Sequence, residues 1–128
     1  MSTRMSELFV IGIGILVCLL LQCEAAYYAV GGAKGWRADP SITNWPKNKS
    51  FKAGDVLYFR YSIFDEGIDV VALKNSDAYK NCNIALDPTW SPYGSGNDLV
   101  VLQQGTIYFV AGSKTNCIKG AKMMIDVK

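Results

Sequence analysis

Apolar positions recur along the chain in short bursts separated by turn-forming residues. "YYAV" (Tyr27–Val30) runs into Gly31 and Gly32, and "AGD" (Ala53–Asp55) turns the chain into "VLYFRY" (Val56–Tyr61). "DVVALK" (Asp69–Lys74) follows a polar loop. "LVVL" (Leu99–Leu102) and "TIYFV" (Thr106–Val110) flank "QQG", and "MMIDV" (Met123–Val127) closes the chain. β-Branched and aromatic residues fill these bursts, as a pleated surface prefers. In the last burst Met123, Ile125 and Val127 share one face. "SDAYKNC" (Ser76–Cys82) suits one helical turn. No long 3.6-residue period occurs after residue 25, and there are no repeats or linkers. The pattern predicts an antiparallel β-sandwich or Greek-key barrel.

The first 25 residues break this pattern. "MSTRMSE" carries Arg4, Leu8–Leu21 is an unbroken apolar run, and "QCEAA" supplies small residues for a cut. These are the parts of a secretory signal peptide. The run falls short of the roughly 18 residues that suggest a membrane span; the competing reading is an uncleaved signal anchor. Residues 1–25 are therefore read as a signal and residues 26–128 as one domain. Removing the signal takes away Arg4, Glu7 and Glu24, which moves the net charge from +2 to +3. That excess is too small and scattered to argue for nucleic-acid binding. No lipid-anchor signal follows the last strand, so no membrane anchor is expected after cleavage.

Cys18 and Cys23 leave with the signal, and Cys82 and Cys117 remain. In an exported protein one disulfide between them is expected, and it supplements a modest core. "NKS" at Asn48–Ser50 is an N-glycosylation acceptor, consistent with the same route.

The chain contains no histidine. That removes the commonest general base and the histidine-dependent nucleophilic sites, and no other constellation argues for an enzyme. Asp65, Glu66 and Asp69 cluster in "FDEGID", but their spacing matches no calcium loop, and a solvated acidic loop is the simpler reading.

Several motifs now stand in order: "YYAVGGAKGW", "NWPKNKSFKAGDVLYFRY", "DVVALKNSDAYKNC", "SGNDLVVLQQGTIYFVAG" and "NCIKGAKMMIDV". Together they resemble the phytocyanins, plant blue-copper-like extracellular proteins, over the whole of residues 26–128. The resemblance is to the plantacyanin (basic blue protein) and early-nodulin-like branches. It implies a cupredoxin-like Greek-key β-sandwich, a Cys82–Cys117 disulfide beside the site, and a secreted plant protein of the cell wall or apoplast.

Copper-binding phytocyanins use two histidines, a cysteine thiolate and a weak axial ligand, the set that blue copper requires. Carried over by motif, the first histidine position falls at Ile68, just before "DVV". A lengthened preceding loop leaves Asp69 or Glu66 as alternatives. The cysteine of "Y-F-x-C" falls at Ala111, the second histidine at Asn116, and the axial residue at Ala121. The resemblance therefore implies a degenerate copper site and no copper cofactor. Reduced Cys82 and Cys117 with a nearby methionine would be the remaining route to Cu(I).

The reading that follows is a copper-free extracellular interaction or signalling module. Its implied partner is a glycan, a glycoprotein or a receptor surface, not nucleic acid. The competing reading is a blue-copper electron-transfer protein using unrecognised ligands. For ligand contact, Trp90 and Tyr93 in "DPTWSPYGSG" and Phe64 in the lengthened loop are the candidate aromatic residues. Tyr93 also matches a structural aromatic of the family, and Trp36 and Trp45 are expected in the core.

Overall fold

The computed structural model describes residues 25–128; the signal assigned to residues 1–25 lies outside this range except for Ala25. Among the described residues, seven strands form two sheets. The first holds β1 (Tyr27–Ala29), β2 (Val56–Arg60) and β5 (Asn97–Val101) in the order β1-β2-β5. The second holds β3 (Val70–Leu73), β4 (Ser91–Tyr93), β6 (Gly105–Val110) and β7 (Lys122–Val127) in the order β4-β3-β6-β7. The six expected strands are all present, with ends shifted by a residue or two. Three short helices join them: α1 (Pro40–Asn44), α2 (Ser76–Lys80) and α3 (Lys114–Ile118). Among the described residues, no helix is long and apolar enough to cross a membrane.

Three features depart from the sequence reading. Strand β1 runs parallel to β2, pairing Tyr27 with Val56, whereas the other strand pairs are antiparallel. The segment between β1 and β2 is long enough for a crossover, and α1 lies within it. Ser91–Tyr93, read as loop, forms the edge strand β4, where Pro92 is tolerated. Lys114–Ile118, for which the apolar pattern gives no element, forms helix α3. Five residues are too few to display a helical period. Each helix is instead marked by its N-cap: Asp39 accepts from Ser41 N, Asn75 from Ala78 N, and Ser113 from Asn116 N.

The core lies between the sheets. Trp36, Phe59 of β2 and Phe109 of β6 stack through it, with ring centroids 5.3 and 5.0 Å apart. Met123, Ile125 and Val127 are buried on one face of β7, as alternation requires. Strand β3 is covered on both sides. Val70 enters the main core, while Val71 and Leu73 join Ala78, Val110, Cys82 and Cys117 in a second cluster. That explains why its apolar run does not alternate. The Cys82–Cys117 disulfide (S–S 2.02 Å) joins the residues after α2 to α3.

Candidate functional site

The four positions implied as degenerate ligands come together at one end of the sandwich. Ile68 precedes β3, Ala111 follows β6, Asn116 lies in α3 and Ala121 precedes β7. Ala111 N donates to the Ala121 carbonyl at 2.9 Å, and Ala121 N donates to the Asn116 carbonyl at 3.0 Å. Ile68, Ala111 and Ala121 are buried members of the main core. Asn116 is half-buried, and its side-chain amide donates to the Glu66 carbonyl at 2.9 Å.

A frame of hydrogen bonds holds these positions. Trp36 Nε1 donates to the Asp69 carbonyl at 3.2 Å, and Gly112 N donates to Asp69 Oδ1 at 2.7 Å. Asp69 thus links the start of β3 to the chain after β6. The loop before β3 meets α3 so closely that a Cβ on Gly67 would lie 2.4 Å from Ser113 Cβ, and Gly67 also has a left-handed φ of 74°. Gly120 packs against the start of α1, where a Cβ would lie 2.5 Å from the Asp39 carbonyl carbon. None of these bonds follows from the motif spacing. The polar residues beside the implied ligand positions, Asp69 and Ser113, were the available signal.

The chemistry of this end is apolar and amide. The isoleucine and two alanine side chains have no donor atom, and Asn116, whose Nδ2 donates to the Glu66 carbonyl, offers at most an amide oxygen, a hard and weak donor for copper. Among the described residues thiolate and imidazole donors are absent, since the chain has no histidine and Cys82 and Cys117 form the disulfide. The residues present do not fit type 1 copper. Of the two alternatives, Asp69 is engaged by Gly112, and Glu66 is exposed. Among the described residues, no group of three or more histidine, cysteine, aspartate or glutamate side chains is placed to hold a metal ion.

The aromatic candidates separate. Phe64 is 91% exposed and Trp90 is 42% exposed. Tyr93 is half-buried in β4 and packs against the main core. No aromatic stacking and no shared cavity joins the three among the described residues. A small cleft of about 210 Å³ lies beside the lengthened loop, lined by Tyr61, Ile63, Asp65, Gly67, Asp69 and Gly94 among others. Burial pushes the Tyr61 phenol up, and that group donates to Asp98 Oδ2 at 2.5 Å. Asn48 is exposed, with a left-handed φ of 67°. Trp36 is buried, and Trp45 packs half-buried on the core.

A family model described as the plastocyanin-like domain matches residues 36–121. The chain belongs to this phytocyanin family. It is 34% identical to a chemocyanin of Lilium longiflorum over 87% of this chain and 85% of that protein. It is 31% identical to early nodulin-like protein 9 of Arabidopsis thaliana over 99% of this chain, which spans 63% of that relative. The solved structure of cucumber (Cucumis sativus) basic protein, titled a blue copper protein, is 34% identical. It superposes with a TM-score of 0.69 over 80% of this chain and all of its own. The phytocyanin fold is thus present here, with the Cys82–Cys117 disulfide inside it.

Proposed function

We propose that this phytocyanin is an exported plant protein that works without type 1 copper, as a non-redox interaction or signalling module of the cell wall. One observation carries the reading. The positions where its copper-binding relatives would place ligands hold Ile68, Ala111, Asn116 and Ala121, and three of these are packed into the core. A core side chain with no donor atom gives a metal nothing to bind, and function belongs to the site rather than the fold. Within the same reading, residues 1–25 direct export and are removed. Asn48 accepts a glycan at an exposed turn. Trp90 and Phe64 are exposed aromatic groups available to a glycan, glycoprotein or receptor surface.

Copper titration of the secreted, disulfide-bonded protein tests the reading. The expected result is no intense visible charge-transfer band and no stoichiometric copper at micromolar concentration. A blue, copper-loaded protein would instead establish the electron-transfer reading. Glycosylation has its own test: deglycosylation of plant-expressed protein should shift its gel mobility, and unchanged mobility rejects occupancy of Asn48.

A further inference from the structure

We propose that export cuts the Ala25–Ala26 bond and that the new α-ammonium of Ala26 forms an ion pair with the buried Asp55 carboxylate, so that processing completes the fold. The inference rests on the reading of this chain as exported, but its evidence lies elsewhere in the molecule.

Asp55 is 1% exposed, at the turn that leads into β2. Its Oδ1 accepts from Ala26 N at 3.0 Å, and its Oδ2 accepts from Lys52 N at 3.0 Å. Lys52 Nζ lies 3.2 Å from Oδ1, on a side chain that is half exposed. Burial alone would raise this carboxyl. The hydrogen bonds from Ala26 and Lys52 outweigh it and hold the group below the ordinary range, so it is ionised. Ala26 is fixed from its other side too, because Val56 N donates to its carbonyl at 2.9 Å. Directly after it, Tyr27 begins the parallel pairing with β2. The nitrogen of residue 26 is thus pinned against a buried negative charge.

In the uncut chain that nitrogen is a neutral amide with one N–H. Hydrolysis by a signal peptidase adds one water: Ala25 leaves as a carboxylate and Ala26 keeps a protonated amine, H₃N⁺. The carboxylate then faces two cations, Lys52 and the chain terminus, and its bond to residue 26 becomes charge-assisted on both sides. Ala26 is only half-buried, which limits the desolvation cost of the new charge. Position matters. A cut one residue later removes the donor, and a cut one residue earlier leaves it an amide.

Secretion of the full-length chain from plant cells, followed by intact-mass measurement, gives the first result. A product beginning at Ala26 is expected. A product cut elsewhere overturns the inference and leaves the export reading standing; a product retaining residues 1–25 overturns both. Next, the α-amine of the secreted protein is acetylated selectively in denaturant at mildly acid pH and the protein is refolded. Acetylation keeps one N–H and removes the charge. The expected result in urea at pH 7 is a roughly tenfold larger unfolding constant than for the free amine. Asp55→Asn should abolish that difference. Equal stability of the free and acetylated wild-type forms overturns the ion pair. Should Asp55→Asn fail to fold, α-amine acetylation rates decide: about tenfold slower in the folded wild type than in urea is expected, and equal rates refute it.

Discussion

Replacing Ile68 by alanine measures how firmly this end of the sandwich is packed into the core. Ile68 is 7% exposed and belongs to the main core together with Ala111 and Ala121. The substitution deletes three carbons, which at about 0.8 kcal/mol each gives about 2.4 kcal/mol of lost transfer energy. A cavity term adds to this when the surroundings cannot collapse. Ala111 and Ala121 of the same cluster are alanines, which have no side-chain length to move into the space. The expected cost is therefore about 3 kcal/mol, within the range of about 2–5 kcal/mol for such truncations. For a domain of this size that lowers Tm by about 10–20 °C. The assay is urea unfolding of the disulfide-bonded protein, followed by aromatic fluorescence and by circular dichroism to verify a two-state transition. The midpoint should fall with an unchanged slope. Ile68→Val serves as a graded control, with an expected loss of about 1 kcal/mol. A loss below about 1 kcal/mol for Ile68→Ala would refute the reasoning, because it would mean that the side chain occupies a loose loop end rather than a packed core position.

Other consequences are equally direct. Converting Cys82 and Cys117 together to alanine opens a loop of sequence separation 35 and should cost about 3–4 kcal/mol in urea unfolding. Asp87 is buried and accepts hydrogen bonds from the Thr89 hydroxyl (2.6 Å) and from the backbone N–H groups of Lys74 (2.7 Å), Thr89 (2.8 Å) and Asn75 (3.0 Å). The Thr89 bond leads these in lowering its carboxyl from 3.8 to about 2, against the opposing effect of burial. A depressed carboxyl stabilises the fold fully above its unfolded value. Stability should thus fall as pH drops from about 4 towards 2, and Asp87→Asn should flatten that limb while lowering stability at pH 7. Gly67→Ala should lose about 2 kcal/mol or more, from its left-handed φ and the clash with Ser113. Gly54→Ala, also at positive φ but with open space around it, should lose less in the same urea unfolding assay.

Much of the fold was legible because its strands are encoded locally. The alternation of Met123, Ile125 and Val127 needs only neighbouring residues to declare a face, and the structure buries all three. Strand β4 was not legible: its sequence, Ser91-Pro92-Tyr93, reads as a turn, and it becomes a strand by pairing with Val70–Ala72 of β3. The outward positions of Leu99 and Val101 were equally hidden. Both are apolar, yet they are 61% and 64% exposed, because Asp98 and Val100 take the inward face of β5. Motif order singled out Ile68, Ala111, Asn116 and Ala121 as the implied ligand positions. It did not reveal how the frame is held.

By itself, the sequence determined the strand bursts, the two cysteines left to pair, and the absence of imidazole anywhere in the chain. These depend on residue identity and short-range order alone. Only the tertiary structure decided that Trp36 and Gly112 clasp Asp69, that Asn116 spends its amide on Glu66, and that Ala26 meets Asp55. Each joins residues that the chain brings together only when the two sheets close, with separations of 29 residues for Ala26 and Asp55 and 50 for Asn116 and Glu66. Local patterning carries no record of such contacts, because their energy exists only once the core between the sheets has formed.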